Sequence, residues 1–251
     1  MATIVRLTHA ELRKLVASRT YLTGLALSVG LAVISVAVDA ATAGKTGHAA
    51  LGTAASTNQM LKLGALCAVG MLVLGILGSG SEYKHKTIIP AMLAGPRRGT
   101  LVAAKVIGIA VAGAMFSVLT FGSGLAVAVA ELSAHYIHQL PADTSTLFWG
   151  SVVAGTLFGV IGVALGYITR STIASVVGAV GWVLFAELAI LHTLIPHLAK
   201  WLVTGAASTL TDPGVLASKA LTPATAVAVL GAYAVVLLAV ASGLVLHRDV
   251  A

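Results

Sequence analysis

From Val106 to Ala130 the chain runs 25 residues without a charged side chain. A helix of that length rises about 37 Å, more than the roughly 30 Å of hydrocarbon in a bilayer. Similar runs recur, and the charged residues act as fence posts between them. Arg19 and Asp39 enclose 21–38, Lys62 and Glu82 enclose 63–80, and Asp143 and Arg170 enclose 144–169. A fifth run, 171–194, is interrupted only by Glu187. A sixth, 221–247, opens with Thr222-Pro223, a helix cap followed by a first-turn proline. Charged residues make up 9% of the 251 and apolar residues 58%, too few charges to cover a soluble fold. The runs are continuous rather than alternating, so helices are expected and not a barrel. The sequence predicts an all-α membrane protein: a single transmembrane domain over 1–251 with six transmembrane helices.

Lys and Arg set the expected orientation. With the amino terminus inside, the inner segments hold Arg6, Arg13, Lys14, Arg19, Lys84, Lys86, Arg97, Arg98, Lys105, Arg170 and Arg248, eleven of the fifteen basic residues. Lys45, Lys62, Lys200 and Lys219 fall outside. The positive-inside rule then puts both termini in the cytoplasm. The formal charge of +7 is accounted for by anionic membrane lipid or a cytoplasmic partner, and nucleic acid is not required. Ala41-Thr42-Ala43 has the look of a signal-peptide cleavage site, but 18 apolar residues precede it, more than the usual ~7–15, so a retained span is expected.

Between the spans the chain is uneven. Residues 6–20 read as an amphipathic interfacial helix, with Thr8 to Glu11 as a capping box, Leu12, Leu15, Val16 and Leu7 on one face, and Glu11, Arg13 and Lys14 among its charges. The segment 81–100 carries Glu82 and Tyr83, then Thr87, an apolar face of Ile88, Ile89, Met92 and Leu93, a Gly95-Pro96 break, Arg97, Arg98, and Thr100 as a cap for the third span. A loop that only joined two helices would not need four large apolar residues; they call for burial in headgroups or a protein groove. Between spans five and six, Pro196, Pro213 and Pro223 leave pieces too short to cross, read as outer half-helices with Lys200 and Trp201 as interfacial anchors. Gly155-x-x-x-Gly159 and Gly162-x-x-x-Gly166 read as close helix packing.

Motifs for chemistry are weak. Gly44-Lys45-Thr46 ends like a phosphate loop, but Asp39 stands where its first glycine belongs, so no nucleotide site is expected here. Gly122-Ser123-Gly124 lacks hydrolase context. Glu131, His135 and His138, with His192 and His197 on the same side, do not follow the zinc-helix pattern. Cys67 stands alone in an apolar helix. Glu187, the one acidic residue inside a span, serves either a translocation path or gate, or a structural lock between helices.

Taken in order, several stretches resemble the type-2 ABC transporter permeases, particularly the short actinobacterial ones. They are Glu11-Leu12-Arg13-Lys14 in the first helix, Glu82-Tyr83-Lys84-His85-Lys86-Thr87-Ile88, and Gly95-Pro96-Arg97-Arg98 with Lys105. Gly181-Trp182-Val183-Leu184-Phe185-Ala186-Glu187 and the Trp201-Leu202 segment complete the likeness, which covers nearly the whole chain. The resemblance implies a bacterial cell-membrane exporter in which two permease chains pair, as a homodimer, and each docks a separate ATPase subunit. It implies that 87–94 is a coupling helix in a groove of that ATPase and 6–20 a flat connecting helix. The half-helices after Pro196 would cap the exit. No cofactor belongs to this chain; ATP and Mg would sit on the partner. Members of the family export drugs, antibiotics, peptides or lipid-linked glycans; the short outer loops argue against a polysaccharide exporter with a carbohydrate-binding module. The competing readings are an ion-coupled carrier, which should show an internal repeat and several intramembrane ionisable groups, and a structural subunit of another complex.

Overall fold

The computed structural model of the chain describes residues 2–45, 48–84, 98–137, 140, 143–183, 196–212, 214–215 and 221–247. Every regular element among them is a helix. In chain order these are α1 (Ala2–Ala17), α2 (Arg19–Thr42), α3 (Ala54–Met60), α4 (Gly64–Lys84), α5 (Arg98–Ala134) and α6 (Thr144–Thr169). They continue with α7 (Thr172–Gly181), α8 (Pro196–Ala199), α9 (Val203–Thr211) and α10 (Pro223–His247). Five stretches of the described residues are long and apolar enough to cross a membrane: Arg19–Thr42, Ala54–Gly80, Gly99–Ala134, Thr144–Thr169 and Pro223–Leu244. The fifth predicted run is described only as far as residue 183, where α7 accounts for its first turns; the remainder, with Glu187, lies outside the described residues.

Glycine decides how the bundle packs. α6 is its centre, and α4 lies along it so closely that a Cβ on Gly75 would collide with the carbonyl oxygen of Gly159. A Cβ on Gly162 would strike the Leu72 carbonyl, and one on Gly166 the Ser79 hydroxyl. The small-residue spacing of the sequence is therefore a backbone-to-backbone contact surface, and it lets Met71, Leu72, Ile76, Ile109, Phe116 and Phe158 fill one buried core. α2 and α10 are peripheral. α2 turns Leu22, Leu27, Leu31, Ile34 and Val38 outward, and α10 turns Val235, Val236 and Val240 outward. In water such faces would aggregate; against lipid they are the expected exterior.

Several local expectations change. The first helix occupies 2–17 rather than 6–20, and Thr8 is not its cap: it lies mid-helix, its hydroxyl buried and without a hydrogen-bond partner. Ser18 ends α1 and caps the next helix, α2: its backbone is extended (φ −76°, ψ 130°) and its hydroxyl accepts from the Tyr21 amide at 3.0 Å. Thr100 likewise lies inside a helix, because α5 begins at Arg98 and runs 37 residues. That is about 55 Å, so α5 projects well beyond the thickness of a bilayer's hydrocarbon. Thr222 does cap α10, accepting from the Thr225 amide at 3.2 Å.

Trp201 is tied to α10. The Tyr233 hydroxyl donates to the Trp201 carbonyl at 3.4 Å, and Tyr233 lies ten residues into α10, about 15 Å from its start. The α8–α9 hairpin therefore turns at mid-depth of the bundle. From there α9 climbs to the end opposite α1, where Lys62 and Asp212 form an ion pair of 3.2 Å. Nine residues rise only about 13 Å, so α9 is a half-helix, as its flanking prolines indicate. It buries Ala206, Ala207, Thr209 and Leu210 against its neighbours.

Candidate functional site

At the α1 end of the bundle the amphipathic helix meets the projecting start of α5. Leu12 and Leu15 of α1 pack against the main core, and Glu11 lies over Gly108, whose missing side chain makes room for it. The Glu11 carboxylate is held from two sides. Lys105 of α5 reaches Oε2 at 3.1 Å, and Lys14, one turn along α1, reaches Oε1 at 2.5 Å. Glu11 and Lys105 are 15% and 11% exposed and Lys14 is 62% exposed, so the pair joining the two helices is the sheltered one. Burial by itself would push the Glu11 carboxyl up; Lys105 and Lys14 together outweigh burial and hold it below its ordinary value. The group stays ionised, and the junction is a charged latch on an otherwise apolar bundle.

Lys105 also donates to the Gly78 carbonyl at 3.4 Å, which ties the latch to the last turns of α4. Just inside, the Tyr21 hydroxyl donates to the Ala112 carbonyl at 2.8 Å and fixes the first turn of α2 on α5. Around the latch is a cavity of about 370 Å³, with Glu11, Lys14 and Lys105 on its polar side and Leu15, Leu74 and Leu77 behind them. α1, α2, α4 and α5 thus meet toward the end of the bundle where α4 finishes and α5 begins.

Of the residues singled out in the sequence, Glu11 and Lys14 are brought together here and Arg13 is exposed beside them. Glu82 and Tyr83 belong to the last turn of α4 and Arg98 is the first residue of α5; their side chains lie outside the described set. Thr87, Ile88, Ile89, Met92, Leu93, Arg97 and Glu187 lie outside the described residues altogether. Lys105, read from the sequence as a flanking charge, is a working part of the latch. Its partner stands 94 positions earlier in the chain, and no local pattern links the two.

His135, half of the Glu131–His135 pair, turns its Nδ1 to the Glu131 carbonyl oxygen at 2.9 Å rather than to a carboxylate. Among the described residues no group of three or more His, Cys, Asp or Glu side chains is placed to hold a metal ion.

Fold and composition together define a multi-pass, all-helical membrane protein. The chain matches no protein-family model and no curated protein.

Proposed function

We propose that the chain is the membrane-spanning permease subunit of an ATP-driven exporter. In this reading it lies in a bacterial cell membrane with both termini in the cytoplasm. It pairs with a second permease chain as a homodimer and docks a separate ATPase subunit that carries ATP and Mg. The cargo is hydrophobic or amphipathic: a drug, antibiotic, peptide or lipid-like molecule.

The observation that carries the reading is the latch. A partner that pushes on 85–97 acts on the two helix ends, α4 and α5, to which that segment is joined. Lys105 binds α5 both to Glu11 of α1 and to the Gly78 carbonyl of α4, so a displacement there moves three helices as one body. The central glycine contacts between α4 and α6 have the smooth, small-residue surface over which packed helices slide. Ile88, Ile89, Met92 and Leu93 supply the apolar grip for a groove in the ATPase, and Glu82, Tyr83, Thr87, Arg97 and Arg98 flank it. Glu187 would serve either the translocation path or its gate, or a structural lock between helices.

An ion-coupled carrier would place ionisable groups around a mid-membrane cavity. The large cavity among the described residues of this bundle is lined almost wholly by apolar side chains. The reading is tested by purifying the tagged chain in mild detergent and assaying co-purified ATP hydrolysis, for wild type and for Ile89→Asp. Activity that accompanies the wild type and is lost with the variant is expected.

A further inference from the structure

α6, α7 and α10 do not close on one another. Between them lies a cavity of about 470 Å³, within the usual size range for a ligand pocket, with almost no polar surface. One wall is a single face of α6 that runs from Thr169 through Leu165 to Phe158. That face is about 16 Å long, close to half the hydrocarbon thickness of a bilayer. Val203, where α9 begins, belongs to the lining toward mid-depth of the bundle. The other end, at the α1 side, is marked by the Thr169 and Ser175 hydroxyls, which hydrogen-bond to each other.

We infer that this cavity holds one acyl chain of a bilayer phospholipid drawn from the leaflet at the α1 end. Water does not suit it, because a buried water needs two to four polar partners and apolar cavities stay dry. The cavity is partly open, and the outer face of α7 beside it exposes Ile173 and Val177, so its surroundings in the membrane are lipid tails. Its α6 wall is about one leaflet long and the hydroxyl pair in its lining lies at the α1 end, the shape of a tail whose headgroup stays at that surface. Arg170 follows Thr169 directly and adds positive charge at the end where the phosphate belongs. A bound tail would complete the packing of α7, of which only Ser175 is buried in the ten residues from 172 to 181. This site is independent of any ATPase and goes beyond the transport reading.

Gly178 offers the test. It lines the cavity, and a Cβ built on it meets nothing within 4 Å, so a side chain can start there without a clash, and Gly178→Phe is the variant chosen to fill the space. Gly30 on α2 is equally unobstructed but lies outside the cavity, and Gly30→Phe is the control. The full chain is purified, equilibrated with phosphatidylglycerol in detergent, and weighed by native mass spectrometry. Wild type and Gly30→Phe retain one phospholipid per chain. Gly178→Phe retains it about tenfold less, the loss expected if about two methylenes are displaced. Its thermal unfolding in detergent stays at or above that of the wild type, which separates displacement from misfolding. Wild type that retains no phospholipid, Gly178→Phe that retains as much as the control, or retention only of a single-chain fatty acid or detergent would each overturn the inference. None of these outcomes bears on whether an ATPase docks.

Discussion

Replacing Lys105 by Met removes the sheltered cation from the latch and leaves Glu11 with Lys14, which is 62% exposed. Glu11 is 15% exposed, so its carboxylate loses its better partner without regaining full hydration. Loss of that sheltered partner costs about 1–3 kcal/mol. For a chain of this size each kcal/mol lowers Tm by about 2–4 °C. Pairing the change with Glu11→Gln removes the stranded charge, and the double variant recovers at least about half of the loss, a coupling of roughly 0.5–3 kcal/mol. Thermal unfolding of the four proteins of this cycle in detergent gives the coupling directly. Limited trypsin digestion gives its location, because a loosened α1 is cut faster at Arg13 and Lys14. The sign with pH follows from the lowered Glu11 value. The stabilisation is complete above the ordinary carboxyl value of 4.5 and is lost as pH falls below it toward the folded-state value. The difference between wild type and Glu11→Gln therefore shrinks in acid and not in base. Additive single variants, or a difference that persists unchanged in acid, would refute the argument that the pair joins α1 to α5.

Other perturbations read other parts of the fold. Gly75→Ala sets a methyl group against the Gly159 carbonyl and destabilises by about 1–3 kcal/mol, whereas Gly30→Ala, in open space, is neutral or slightly stabilising; unfolding temperatures of both decide it. Lys62→Met removes a half-exposed ion pair to Asp212 and costs only about 0–1 kcal/mol, with an effect that fades at high salt. A loss much larger than that would mean that the pair, and not the buried face of α9, holds the half-helix in place.

How far the sequence could be read depended on whether the cause was local. Uncharged runs became helices because a bilayer leaves a chain no cheaper way to pair its backbone groups. Thr222-Pro223 capped α10, and the Gly162-x-x-x-Gly166 spacing became part of the α4–α6 contact while Gly155 lies against Ser117 of α5, because caps and ridges are decided within a turn or two. The amphipathic first helix was legible in kind, but its limits were not. The helix starts at Ala2, ahead of the Thr8 capping box, and ends at Ala17 because Ser18, in extended backbone, caps α2. Lys105 looked like a boundary because charges usually are; a carboxylate 94 residues away in sequence lets α5 carry it. The mid-depth turn at Trp201 depends on Tyr233 across the bundle, again beyond any local pattern. The apolar cavity left no trace in the sequence, since its walls come from five helices whose apolar residues look like any others.

The most direct test of the transport reading remains the partner. The tagged chain is purified in mild detergent and its co-purified ATP hydrolysis compared with that of Ile89→Asp, with equal unfolding temperatures confirming that the variant folds. The reading predicts a stoichiometric ATPase subunit whose activity accompanies the wild type and is lost with the variant. No ATPase with either protein, or equal activity with both, would contradict it and return the chain to the carriers or to the structural subunits of membrane complexes.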